Sequence, residues 1–456
     1  MTNTWVAKEF EHVKFNDKRR FNRFIKVVTQ KWKNPTASIC EACETNADRK
    51  GAYRLYDNIK VTENEMLNSH ILNTQKRAKK EKVILAIQDT TIVDYSTHKA
   101  TKGLGTLQTK KNLGLLIHTT LLINTNKVPL GIIDQQNIVR PLEEFGKSKE
   151  RHERPIEQKE SNRWLIALKK SKKVENRLKN TLVVNVADRE SDIYDFFREA
   201  INKNQEVLIR ASHNRKIELL DSSEKKLFDF IETQSCKGEY EVKVPKNSKR
   251  KSYNAKLEIR YEKVIISPPK KRSKENLENI ELTIILAIEK NPPNNQKPIK
   301  WILLTTLEVK SLLSACEKVK WYSYRWQIEV FHKILKSGCK IEKVQLGDIK
   351  KIIKFILISS IIAWRIFYLS MLGRNIEGEL PCDIIFETYE WNAIYCYSKK
   401  SKKLPDEVPS LNELKLMIAK LGGFTARKSD GEPGPQVMWR GLEKMSQIAD
   451  AWMIFN

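Results

Sequence analysis

The chain has 456 residues, 40% of them apolar, which exceeds one typical core and implies two to four domains. Its 83 Lys and Arg against 56 Asp and Glu give a formal net charge of +27, which favours a polyanion, nucleic acid before an anionic membrane surface. Seven scattered cysteines argue against a disulfide framework and for a reducing cytosol, and the opening MTNTWVAKEFEHVKF carries no secretory leader pattern.

Residues 1–70 read as mainly helical. Asp17–Ile25 mixes a basic face with apolar positions, and Arg49–Tyr56 adds further basic and aromatic residues. Arg19, Arg20, Arg23, Lys50 and Arg54 suit contacts with phosphates or bases, although a solubilising helical surface has the same composition. Cys40 and Cys43 form a CxxC pair, but no second pair supplies the other two ligands that zinc requires.

A strand-rich block begins at Lys82. VILAIQDT reads as a strand ending near Asp89, and LGLLIHTTLLIN and VPLGIIDQQNIV as two strands joined near Asn126 and Lys127. Glu143–Glu160 reads as an exposed loop and Asn162–Val174 as a helix. TLVVNVADRE is a buried strand ending near Asp188, followed directly by a helix in SDIYDFFREAINKN and a strand in EVLIRAS. This order specifies an α/β fold with a mixed sheet. From Ser212 to Lys297 the chain turns β-rich, with cationic loops at Lys246–Lys251 and Lys270–Lys274. Ile299–Leu307 is again a strand, and Ser311 starts a helix expected to reach Glu329. Ile349–Leu372 is a long apolar helix. Its most apolar run, Phe355–Trp364, is flanked by Lys354 and Arg365, too short to span a bilayer and best read as core. From Ser410 helical patterns return, with Leu414, Met417, Ile418, Leu421 and Phe424 as an apolar set.

Asp89 and Asp188 both sit at strand ends, where open α/β sheets build their sites. If their strands are neighbours, the two carboxylates come together and divalent cations relieve their repulsion. Asp94 and Asp192 are local rivals for the same role. In Trp321–Lys340, at about 100° per residue, Tyr322, Arg325, Glu329, Lys333 and Lys336 fall on one stripe. Tyr324, Ile328, Phe331, Ile334 and Leu335 form the opposite, apolar stripe. The polar stripe is either a solvated face with ion pairs or a carboxylate among phosphate-gripping cations.

Asp89, Asp188 and Glu329, with Tyr322, Arg325 and Lys336 in the order Y-x2-R-x3-E-x6-K, match D-D-E and Y-R-E-K signatures. DKRR, RKGAYR, QDTT, ADRESDI, NPPNNQKPIKWILLT, YRWQIEVFHK and IAKLGGF follow in matching order. On these motifs the chain resembles the bacterial cut-and-paste DDE insertion-sequence transposases of the transposon-five type along nearly its whole length. The resemblance implies a ribonuclease H-like catalytic core at 71–372 with a β-rich insertion at about 212–297. It also implies a helical DNA-binding domain at 1–70 for transposon ends and a helical dimerisation domain at 373–456. Asp89, Asp188 and Glu329 would hold two Mg²⁺ ions, or Mn²⁺ in their place, for nicking, hairpin formation and joining to target DNA. Trp301 and Trp326 would accommodate a flipped base. Tyr322, Arg325 and Lys336, together with His332 and Lys333, would contact the DNA. Implied partners are double-stranded DNA, as terminal inverted repeats and target, and a second copy in a synaptic homodimer, with no membrane. The implied location is the bacterial cytoplasm, at the nucleoid. A metal-dependent nuclease or resolvase with the same core, and a non-catalytic DNA-binding protein, are the alternatives.

Overall fold

The computed structural model describes residues 4–146, 154–219, 224–244, 252–293, 296–374, 379–427 and 430–455. The loop expected at Lys246–Lys251 and part of that at Glu143–Glu160 lie outside them. The chain gathers into two units, one of Met1–Lys80, Thr90–Lys147 and Glu329–Asn456, the other of Glu81–Asp89 and Ser148–Ile328.

The first unit begins with α1 (Trp5–Glu9), α2 (Lys18–Lys33), α3 (Ile39–Ala42), α4 (Asn46–Asp57) and α5 (Glu63–Ala78). Asp17 starts α2 by accepting from the Arg19 and Arg20 N–H groups at 2.9 and 3.1 Å, as an N-cap carboxylate should. Phe24, Val27, Val28 and Trp32 form the buried face of α2. The strand β1 (Val83–Asp94) is divided between the units at Asp89. It runs five residues past the expected end, because Thr90–Val93 is a β-branched run that favours extension. In the first unit, β2 (Gly105–Thr106) and β4 (Pro129–Ile138) pair antiparallel with β3 (Leu113–Asn124). Lys127, with φ of 65°, makes the β3–β4 turn.

The second unit holds α6 (Asn162–Glu175), β5 (Leu182–Ala187), α7 (Tyr194–Asn202), β6 (Glu206–Arg210), β7 (Lys216–Glu218), β8 (Glu224–Lys226) and α8 (Leu227–Thr233). It continues with β9 (Gly238–Val244), β10 (Tyr253–Ile266), β11 (Ile280–Glu289), β12 (Lys300–Thr305) and α9 (Leu312–Ser323). The first part of β1 runs parallel to β5, and β5 parallel to β6. The sheet then turns antiparallel through β12, β11 and β10, with β9 and the β7–β8 hairpin on β10. The mixed α/β class expected from the sequence is the class observed. A buried cluster including Trp164, Phe196, Phe197, Ile209, Leu282 and Leu304 packs helices onto this sheet.

The stretch Trp321–Lys340 is not one helix. α9 ends at Ser323 and α10 (Trp326–Lys333) follows, with Ile334–Gly338 in a π-helical turn. Around the break the Tyr324, Arg325, Gln327 and Ile328 N–H groups donate to carbonyls three residues back. Such bonds advance the chain by about 120° per residue and rotate the expected stripes. The aromatic run Trp321–Tyr324 supplies the reason, since its side chains lose rotamer freedom in a regular helix.

The first unit closes with α11 (Ile349–Met371), α12 (Thr388–Lys399), α13 (Leu411–Leu421) and α14 (Pro435–Phe455). α11 is, at 23 residues, long and apolar enough to cross a membrane, but 83% of its most apolar window is buried within the protein. It is a core helix. Trp364 of α11 donates to the Pro129 carbonyl at 2.8 Å. Leu414, Met417 and Ile418 of α13 are buried within their own unit, so these members of the apolar set expected from Ser410 onward are not available as anchors for a second copy. α13 and α14 meet through glycine: a methyl group on Gly422 would overlap the Val437 carbonyl, and one on Gly441 the Ile418 carbonyl.

A buried ionic cluster ties α1, α5 and β4 together. Arg77 donates to both Glu9 oxygens at 2.9 and 3.0 Å, and His70 Nδ1 lies 2.6 Å from Glu9 Oε1. His70 Nε2 accepts from the Ile132 N–H at 2.9 Å, which assigns its proton to Nδ1. Burial alone raises the Glu9 carboxyl, but Arg77 and His70 together hold it down at about 2. Burial lowers the His70 imidazole against the pull of Glu9. Both folded values lie below those of the unfolded chain, roughly 4.3 and 6.5. The cluster therefore stabilises fully above about pH 6.5 and progressively less as pH falls toward the folded values. Glu9→Ala should cost about 3–5 kcal/mol at pH 7, and the deficit relative to wild type should shrink only as pH falls below about 4.3, the unfolded glutamate value. Denaturant titrations across that range check it; a deficit independent of pH would mean that Glu9 acts through packing alone.

Candidate active site

β1 and β5 pair from Val83–Leu182 through Ile87–Val186. Two residues beyond that last pair on each strand come Asp89 and Asp188. Asp89 lies within β1 and Asp188 just past the end of β5, so the two follow adjacent parallel strands that run about 4.8 Å apart in the direction of hydrogen bonding. The pairing of β5 with β6 matches Ala187 to Ile209, so the next position along is Arg210. Asp89 and Asp188 are both half-buried.

Asp188 directly follows β5 and caps the short 3₁₀ turn Arg189–Ser191, its Oδ1 accepting from the Glu190 N–H at 2.9 Å. This turn, absent from the sequence reading, separates Asp188 from α7. The rival Asp192 is spent on structure. It is buried, pairs with Arg215, and accepts from the Ser212 and His213 N–H groups at 2.7 and 3.1 Å. Asp94 lies in the other unit and accepts from the Ser96 N–H at 2.8 Å. Hydrogen bonds from Ser96 hold its carboxyl below the usual range.

Tyr322, at the end of α9, is buried rather than outward-facing. Its ring meets that of Trp301 edge-on, with centroids 5.4 Å apart. Burial pushes the phenol up, against the opposing pull of Arg325 and Arg210, with Asp188 adding to the rise. The phenol therefore stays protonated. Arg210, whose Nη2 also donates to the Lys300 carbonyl at 3.1 Å, was missed in the sequence. It is the last residue of β6, within EVLIRAS, and the rule that sites gather at strand ends would have found it. Trp301 is half-buried on β12, whereas Trp326 is 57% exposed at the start of α10.

In the first unit, Glu329 is half-buried and Lys333 exposed. Lys336 Nζ donates to the Ile92 carbonyl at 2.9 Å and pairs with Glu342 at 3.0 Å. His332 is buried beside Phe331, so the expected surface position for a DNA contact is corrected to an interior one. The apolar residues expected on the opposite stripe, Tyr324, Ile328, Phe331, Ile334 and Leu335, are all buried. In the N-terminal helices Arg19, Arg23, Lys50 and Arg54 are exposed. Arg20 is partly occupied, donating to the Phe15 carbonyl and pairing with Asp17.

Two carboxylates that follow adjacent parallel strands suit a hard divalent cation, which takes oxygen ligands. Among the described residues no group of three His, Cys, Asp or Glu side chains is gathered in a metal-holding arrangement. Asp89 and Asp188 thus supply an acidic pair in one unit, and Glu329 belongs to the other.

Three family models match the chain. Residues 2–61 match a transposase DNA-binding model, 157–364 a transposase DDE domain, and 361–452 the transposase Tn5 dimerisation domain.

The burial of Tyr322 separates its structural part from any chemical one. Tyr322→Phe should keep the contact with Trp301 and alter stability by at most about 1.5 kcal/mol, the worth of one hydrogen bond. Tyr322→Ala should cost about 3–5 kcal/mol, as large aromatic truncations in cores do. Chemical denaturation of the two variants makes the comparison, and equal losses would contradict the packing assigned here.

Proposed function

The chain belongs to the Tn5-like DDE transposases, metal-dependent enzymes of DNA cutting and joining with a ribonuclease H-like core, and from that premise we propose a cut-and-paste cycle through a hairpin. Asp89, Asp188 and Glu329 are its metal ligands, for two Mg²⁺ ions or Mn²⁺ in their place. The metals, when bound, activate the attacking oxygen and stabilise the leaving one. Water breaks the P–O3′ bond at the transposon end and frees a 3′-hydroxyl. That hydroxyl attacks the opposite strand and closes a hairpin, a second water reopens it, and the freed 3′ end attacks target DNA. The observation that carries this reading is that the paired, adjacent parallel strands β1 and β5 lead into Asp89 and Asp188, with Asp188 among the charged neighbours of the Tyr322 phenol.

Tyr322, Arg325, Lys333 and Lys336 take the phosphates near the cut. A hairpin turns a strand sharply, and unstacking one base relieves the turn at a cost of a few kcal/mol, roughly. The exposed ring of Trp326 offsets part of that, at about 1–3 kcal/mol per stacked base, and Trp301 forms a second wall. Residues 1–70 recognise the terminal inverted repeats, with Arg19, Arg20, Arg23, Lys50 and Arg54 on the DNA. The exposed Met453, Ile454 and Phe455 at the end of α14 replace the buried α13 residues as the apolar contact with a second copy in the synaptic complex. The setting is the bacterial cytoplasm, at the nucleoid.

Asp188→Ala should abolish nicking of end DNA while retaining binding to it. A variant that cut normally would remove Asp188 from the metal ligands.

Trp326→Ala should spare the first nick and reduce hairpin formation on a pre-nicked end duplex, read on denaturing gels. Equal loss at both steps would make Trp326 a support of α10 instead. A wild-type protein that cut ends yet never formed hairpin or strand-transfer products would be a plain nuclease.

A further inference from the structure

Ile59, in the turn between α4 and α5, is the most exposed large apolar side chain among the described residues, at 85%. Single exposed apolar residues are common and need no explanation. What sets this one apart is its base. Asn58 N–H donates to the Leu55 carbonyl at 3.2 Å and Val61 N–H to the Asn58 carbonyl at 3.1 Å. Lys60 N–H donates to Asn58 Oδ1 at 2.9 Å. From α11, Lys354 Nζ donates to the carbonyls of Tyr56 and Asn58 at 3.1 and 2.8 Å. One cation thus grips the chain just before the tip, and Val61 just after it is buried. Lys351 neutralises Asp57 beside it. The turn is rigidly held and its isoleucine stands off the surface.

The surroundings are cationic. Lys50 and Arg54 are exposed and lie four residues apart on α4, away from its buried Ala52, Leu55 and Tyr56. Lys60, next to Ile59, is exposed as well. Arg23 of α2 lies against Gly51, 3.6 Å from where a Cβ would stand, so the two basic helices run side by side. Phosphates suit the cations but offer nothing to an isoleucine, whereas bases present thymine methyl groups and stacked faces.

We propose that Ile59 is a base-contacting specificity residue, pressed by the α4–α5 turn onto the bases of the end DNA while Arg54 and Lys60 hold the flanking phosphates. This rests on the assignment of residues 1–70 to end recognition. The test compares full-length wild type with Ile59→Ala and Arg54→Ala on duplexes carrying the transposon's terminal repeat or its scrambled sequence, across a range of salt. Ile59→Ala should weaken binding to the repeat on the order of tenfold, as one lost base contact does. It should leave the scrambled duplex and the salt slope unchanged. Arg54→Ala should weaken both duplexes and lower the salt slope by about one. Deoxyuridine in place of thymidine, or 2-aminopurine in the repeat, then tells a methyl contact from a wedge between bases. Ile59→Ala that discriminates as well as wild type, in a protein with unchanged melting temperature, overturns the proposal alone. Wild type that fails to prefer the repeat overturns the end-recognition reading on which it stands.

Discussion

Five backbone pairings between β1 and β5 bring together two segments far apart in the chain, and with them the acidic pair. The strands are apolar where they pair, with Ile84, Leu85, Ile87, Val184 and Val186 all buried. Both faces of these strands are buried, so apolar packing alone does not single out one register. Buried Gln88 and Asn185, 3.3 Å apart, add a polar pair that a slipped register would break. Arg210 joins the acidic pair through the β5–β6 pairing. Two negative charges and one positive are thus aligned by backbone geometry, without any loop having to order itself first.

The formal charge of +27 overstates what DNA meets. Several cations have internal duties. Lys31 is buried with its Nζ on the Ala37 carbonyl at 2.7 Å, and burial brings its ammonium down to about 8. Lys415 donates to the Leu372 carbonyl and is likewise lowered by burial to about 8. Lys354 and Arg77 are similarly committed. These groups close helix ends and tie segments together, as lysines near carbonyl-rich termini do. The residues left for a polyanion are exposed ones such as Arg19, Arg23, Lys50, Arg54 and Lys333.

Much of this was legible in the sequence because it rests on local periodicity. The strand that stops at Asp188, the capped start of α9 at Ser311, and the buried stripe from Tyr324 to Leu335 all follow from one residue's relation to its near neighbours. The misses have a different origin. The burial of Tyr322 depends on a partner, Trp301, that sits on another strand. His332 and the α13 residues looked available because a helical projection gives a face but not what covers it. The division between Asp188 and Asp192 lay in the loop Ser212–Arg215, which no spacing rule ties to that turn.

The glycine crossing of α13 and α14 has a mechanical consequence. Helices joined through interdigitated side chains have some compliance, since rotamers can yield before backbones move. At Gly422 and Gly441 no side chain intervenes, and main chain bears directly on main chain. A joint of that kind transmits torque with little slack. A load taken up at the exposed end of α14 would pass into α13 as into one stiff lever, not be absorbed between the two.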